Sequence, residues 1–267
     1  MPRVMVNGIN LHYDDYGSGD PVVLVTGSGA TGKMWSLHQV PALNAAGFRA
    51  ITVDNRGMPP SDLSPQGFTI DDMVEDTAGL IEWLGIGPCR IVGFSLGAMV
   101  VQELLLAHPD LITQAILSAT RGRTDALRAA ISAGESELAE SGVVLPRQYA
   151  AVVHAMQFLS PTTLKDDNRV KDWLDIFEMS LVSHSTNRSQ HGLELPDGRL
   201  EEYRKITSPC LVVGFQDDLI APPYLCREVA DSIPGGKYEE LADCGHYGYL
   251  EQPEEANSLI INYFRSM

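Results

Sequence analysis

A chain of 267 residues, 44% hydrophobic and 20% charged, can bury one or two globular cores, and no repeat or low-complexity tract interrupts it. A formal net charge of −16 with no basic stripe argues against a nucleic-acid backbone or an anionic membrane as the main partner. Cys89, Cys210, Cys226 and Cys244 stand far apart with no CxxC pair, so neither a zinc site nor a disulfide framework is expected.

The N-terminal stretch has no apolar signal core, and no later run is long and charge-free enough to span a bilayer; the expected location is cytoplasmic. Asn7-Gly8 between two short apolar segments is a hairpin signal and predicts an antiparallel edge. Residues 21–27 (PVVLVTG), 48–54 (FRAITVD) and 89–94 (CRIVGF) are nearly continuous apolar runs, the pattern of strands covered on both faces. Between the last two, Ile70, Met73, Val74, Leu80, Ile81 and Leu84 recur at helical spacing, with acids in the first turn. Residues 91–105 start as a strand and finish as a helix, switching at Ser95 between Gly93 and Gly97. A strand over 113–119 follows.

Residues 121–205 break this alternation. They read as several helices without a convincing strand, and AVVHAMQFL and VKDWLDIFEMSLV place apolar and aromatic residues on one helical face. An ordinary connection has about 4–6 residues, so the segment is predicted to be a helical cap inserted into a core of residues 1–120 and 206–267. After it the pattern resumes: a strand over 209–215, a helix over 222–233, a strand over 237–242 and a closing helix from 253. Strands separated by helices pair in parallel through right-handed crossovers, which predicts an α/β fold with a mostly parallel sheet flanked by helices.

Two readings of Ser95 compete. Serine caps helices well, because its oxygen accepts a first-turn N–H. The alternative is a nucleophile: Gly93-Phe94-Ser95-Leu96-Gly97 fits G-x-S-x-G, and it lies between a strand and a helix, where that motif has to lie. The Leu96 N–H would then point into the same space. A serine needs a base. Of His12, His38, His108, His154, His184, His191 and His246, only His246 sits in a loop directly after a late strand, where catalytic groups collect in parallel sheets. His108 reads as the end of the helix after Ser95, and His154 has a minor claim to face a substrate. Asp217 and Asp218, at the end of a strand, are the candidate acids and give the chain order Ser…Asp…His.

At this point the chain resembles the α/β-hydrolase superfamily, in particular its capped serine hydrolases: esterases, haloperoxidase-like perhydrolases and carbon–carbon bond hydrolases. The resemblance spans the chain outside the cap. Its G-x-x-D-x-x-x-P pattern is stretched by one residue here: counting from Gly214 selects Asp217, counting back from Pro222 selects Asp218. Asp218 is preferred, because the helix behind it should fix the loop, and Asp217 stays open. The family's oxyanion loop usually opens with His-Gly; here Thr26-Gly27 stands in its place, and the resemblance implies backbone donors at Ser28 and Leu96. Asp54, Arg56, Gly57 and Ser61 match D-x-R-G-x-G-x-S and read as structural.

Trp35, Met99, Phe158, Trp173, Phe177, Tyr247 and Tyr249 have the character of pocket walls, although each alone is more often packing. The expectation is a cofactor-free serine hydrolase acting on an ester, lactone or thioester of a small, mainly hydrophobic substrate through an acyl-enzyme on Ser95. Its rivals are a carbon–carbon bond hydrolase, a non-hydrolytic cyclase or lyase, and a ligand-binding receptor with vestigial turnover.

Overall fold

The computed structural model describes residues 2–64, 67–184, 190 and 192–266. The apolar runs become strands β1 (Arg3–Val6), β2 (Ile9–Tyr16), β3 (Asp20–Val25), β4 (Phe48–Asp54) and β5 (Cys89–Phe94). β6 (Ile112–Ser118), β7 (Cys210–Phe215) and β8 (Lys237–Leu241) complete one eight-stranded sheet in the order β1-β2-β4-β3-β5-β6-β7-β8. The hairpin at Asn7-Gly8 makes β1 and β2 antiparallel, β2 runs antiparallel to β4, and every pair from β4 through β3 to β8 is parallel.

Period-two alternation divides the strand residues between two cores. Val23, Val25, Ile91 and Leu117 face one side, with helices α2 (Ile70–Leu84), α3 (Leu96–Ala107) and α9 (Pro223–Ser232). Val22, Leu24, Val92, Phe94 and Ile116 face the other, with α1 (Gln39–Ala45) and α11 (Pro253–Arg265). α3 is buried all along from Leu96 to Leu105, which is why it lacks a polar stripe: β5 and β6 lie on one side of it and α2 on the other. α2 starts at a reciprocal cap between Thr69 and Asp72 and stops at Gly85, whose φ of 63° suits glycine.

Between the neighbouring strands β6 and β7 the chain makes a helical insertion: α4 (Ala126–Ser141), α5 (Arg147–Phe158), α6 (Pro161–Leu164), α7 (Asp167–His184) and α8 (Arg199–Glu202). Ala151, Ala155, Leu159 and Phe177 form a small core of their own there, with Trp173 and Tyr247 packed against it. α10 (Gly248–Glu251) precedes the closing helix.

The run over 21–27 stops being a strand two residues early. Thr26 leaves the ladder because its hydroxyl donates to the Ala30 carbonyl at 3.3 Å and its own carbonyl accepts from Asn55 Nδ2 at 3.0 Å. Among the described residues, no helix is long and apolar enough to cross a membrane.

Candidate active site

β5 ends at Phe94 and α3 begins at Leu96, so Ser95 alone carries the change of direction, at φ 54° and ψ −119°. A non-glycine residue held there costs of order 1–3 kcal/mol and persists only where its surroundings enforce it. They do: the Ser95 N–H donates to the Ser118 carbonyl at 2.9 Å. A Cβ on Gly93 would lie 2.6 Å from the Ala98 Cα, and one on Gly97 would lie 2.3 Å from the Val25 carbonyl oxygen, so both glycines let α3 seat this close to the sheet. The Ser95 hydroxyl makes no capping bond to α3. It lies 3.0 Å from His246 Nε2 instead.

His246 sits in the loop between β8 and α10 and is 2% exposed. Its Nδ1 is 2.8 Å from Asp218 Oδ2, while Asp218 Oδ1 accepts the N–H groups of Ile220 and Ala221 at 2.7 and 2.9 Å. An ionised Asp218 accepting at Nδ1 places the ring proton there, which leaves Nε2 as an acceptor for the serine hydroxyl. The stretched loop therefore brings the second aspartate to the histidine. Asp217 donates its N–H to the Cys244 carbonyl at 2.9 Å and stays half-buried. Burial, with Asp243 and Glu251 nearby, pushes its carboxyl above the ordinary range.

The loop after β3 passes directly over the serine, since a Cβ on Gly27 would lie 3.1 Å from the Ser95 Cβ. Ser28 is exposed at the next position. Leu96 opens α3, so its N–H has no helical carbonyl a turn behind it. This loop is tied down at intervals: by Asn55 at Thr26, by Asp54 Oδ1 on the Gly32 N–H at 2.6 Å, and by Gln190 Oε1 on the Gly29 N–H at 2.8 Å. Gln190 also donates to the Arg56 carbonyl at 2.9 Å. Nothing in the sequence marks Gln190, one amide in a polar stretch of the insertion.

Asp54, Arg56 and Ser61 brace the neighbouring loop. Arg56 pairs with the buried Asp76 through two guanidinium nitrogens, and Ser61 donates to the Asp54 carbonyl at 2.6 Å. His12 is spoken for as well, its Nδ1 lying 2.6 Å from Asp54 Oδ2. His108 ends α3 and reaches Glu75 at 2.9 Å. His191 lies outside the described residues, and of His184 only the backbone is described.

Aromatic rings wall the histidine. Phe94 lies 5.0 Å from its ring and Phe158 sits edge-on at 5.4 Å. Tyr247 stacks on Phe158 and on Trp173, and Phe177 flanks both Trp173 and Tyr247. His154 stacks on Phe158 at 4.0 Å and points Nε2 at the Tyr247 hydroxyl, 3.3 Å away, so this insertion histidine belongs to the wall. Trp35 packs on Tyr249, one shell further from the histidine, and Met99 is buried in the α2–α3 core. Burial holds the Tyr247 and Tyr249 phenols well above their ordinary range, hence protonated. The four cysteines are buried free thiols, and burial pushes Cys89, Cys210 and Cys244 up to about 12. Among the described residues, no group of three or more His, Cys, Asp or Glu is placed to hold a metal ion.

The arrangement has counterparts. The Alpha/beta hydrolase family model matches residues 22–259. The chain belongs to that family. The alpha/beta hydrolase is 46% identical over 260 residues to a Mycobacterium tuberculosis protein named "Putative non-heme bromoperoxidase BpoC", covering 97% of this chain and 99% of the relative. The crystal structure of that protein superposes with a TM-score of 0.93, covering 97% of this chain and 96% of the other. A thermophilic esterase from Thermogutta terrifontis matches at 26% identity and a TM-score of 0.82, covering 99% and 98% of the two chains. A Serratia proteamaculans relative named "Putative carbamate hydrolase RutD" is 29% identical, covering 91% of this chain and 90% of its own. The alpha/beta hydrolase thus has its sheet, elbow and loops in a family whose members carry varied chemical names, and the bond it acts on has to be argued from its own side chains.

Proposed function

We propose that this alpha/beta hydrolase cleaves the ester, lactone or thioester bond of a small, mainly apolar acyl substrate through an acyl-enzyme on Ser95. The observation that carries the reading is the unbroken chain of hydrogen bonds from Asp218 through His246 to a serine held in a strained turn. Ser95 Oγ attacks the acyl carbon while His246 Nε2 takes its proton, and Asp218 steadies the imidazolium. The oxyanion is received by the N–H groups of Ser28 and Leu96. His246 returns the proton to the leaving alcohol or thiol, and water then attacks the acyl-enzyme, giving its proton to His246, which passes it to the departing Ser95 oxygen as the acid is released. The scheme draws on these side chains, two backbone donors and water. Phe158 and Tyr247 beside His246, with Trp173 stacked on Tyr247, carried on or packed against a helical cap of residues 121–205, support an apolar acyl group.

The test is intact mass after reaction with a fluorophosphonate probe, alongside turnover of nitrophenyl esters of increasing chain length. Wild type should gain one adduct and turn over repeatedly, whereas Ser95→Ala and His246→Ala should do neither. A folded wild type that takes no adduct sinks the acyl-enzyme reading.

One observation favours a second reading, the identity with a relative named as a non-heme bromoperoxidase. Hydrogen peroxide attacking the same acyl-enzyme in place of water would release a peracid and regenerate the serine. The peracid would oxidise bromide to hypobromite and return as the carboxylate. Bromide oxidation that survives Ser95→Ala rules this out.

A further inference from the structure

The last residue of α10, Glu251, is 3% exposed and turns its carboxylate inward. Its Oε1 accepts the Gly245 N–H at 2.7 Å, and its Oε2 accepts both the N–H and the hydroxyl of Ser160, at 3.0 and 2.8 Å. The Ser160 oxygen itself accepts the Thr163 N–H at 3.1 Å, so its hydrogen is committed to Glu251. Three donors converge on one side chain, and a carboxylate satisfies all of them with its lone pairs. Gly245 immediately precedes His246. Ser160 is two residues beyond Phe158, whose ring stands edge-on to His246. There is no slack between the two segments: the Tyr247 N–H donates to the Phe158 carbonyl at 3.3 Å, and a Cβ on Gly245 would lie 2.6 Å from that same oxygen.

We infer that Glu251 is a positioning residue, a clamp that sets the His246 loop and the Phe158 wall in one register. It thereby governs both the approach of the base to Ser95 and the acyl length that the site accepts. The inference rests on the serine hydrolase reading above. It separates the two halves of the clamp, because Ser160→Ala removes the hydroxyl bonds to Glu251 and from the Thr163 N–H on the cap side and leaves Gly245 held.

Glu251→Gln keeps the size but sets an amide N–H₂ against donors. Glu251→Asp keeps the charge but is too short to span both partners. Both variants should label with the fluorophosphonate probe about 10–100-fold more slowly per folded molecule, the loss that a misplacement of about 1 Å carries. Both should also broaden the chain-length profile on nitrophenyl esters. Ser160→Ala should alter the chain-length profile and slow labelling less than either Glu251 variant. A purely structural role would lower Tm and move neither readout. Glu251 variants that label at the wild-type rate with an unchanged profile overturn the clamp. If they do not fold, a Ser160→Ala profile identical to wild type overturns it. An unlabelled wild type overturns the hydrolase reading beneath it and the clamp with it, whereas labelled wild type beside indifferent variants overturns the clamp alone.

Discussion

An amide in place of the Asp218 carboxylate would have to satisfy two demands at once. Oδ1 accepts two backbone N–H groups, from Ile220 and Ala221, so the amide oxygen must stay on that side. Its N–H₂ would then face His246 Nδ1 and force the ring proton onto Nε2, where it points at the Ser95 hydroxyl and cannot receive a proton. Asp218→Asn should therefore lower kcat by about 10³–10⁴-fold with the fold intact. Asp217→Asn should turn over like wild type, because its carboxyl faces Asp243 and Glu251 and not the histidine. Steady-state kinetics on one nitrophenyl ester, run on both variants, separates the two; equal losses would mean that the acid has been misassigned. The sequence favours Asp218 without excluding Asp217, because the motif is one residue too long; in the structure it is Asp218 that the Ile220 and Ala221 N–H groups hold beside His246.

At the scale of elements, what was legible is what burial on both faces forces on composition. β3, β4 and β5 are nearly continuous apolar runs and β7 is apolar throughout because helices cover each side, and the Ser95 elbow is legible because two glycines are needed to pass α3 over the sheet. α1 was not read: it is short and contains Pro41, so its periodicity has no room to appear. α2 was legible down to its acidic first turn, and that turn carries a prediction. The Asp72 carboxyl is held below its ordinary 3.8 first by the Thr69 N–H, which outweighs the opposing effect of burial, and then by the Thr69 hydroxyl and Arg56. A carboxyl lowered in the folded state contributes stability that is present above its unfolded value and lost as pH falls through the folded one. The urea midpoint of Asp72→Asn should thus lie below that of wild type above the ordinary carboxylate value of 3.8, and the gap should close as the pH falls below it. A gap that ignores pH would mean that the cap acts through geometry alone. The group is part-exposed, so the effect should also shrink in salt.

Across the whole molecule, the C-terminal ends of four parallel strands deliver the proposed site: β3 the loop of the proposed oxyanion donor, β5 Ser95, β7 Asp218 and β8 His246. The helical insertion reaches the loops beside Ser95 through Ser160, at the segment that carries His246, and through Gln190, at the loop after β3. Neither contact was legible, because a lone polar residue acquires its meaning only when segments 91 or 161 positions apart come together. Gln190 holds the Gly29 N–H, one residue beyond the proposed donor Ser28, and is itself anchored on the Arg56 carbonyl. Losing an oxyanion donor outright costs about 10²–10³ in kcat, and loosening its loop should cost a fraction of that. Asn55 and Asp54 still hold the loop at Thr26 and Gly32, so Gln190→Ala should fold and lower kcat by roughly tenfold, well short of a full donor loss. KM should stay near wild type, since the donors grip the transition state more tightly than the substrate. A variant that raises KM while keeping kcat would assign Gln190 to substrate binding, and the insertion would then touch the chemistry only through the base loop.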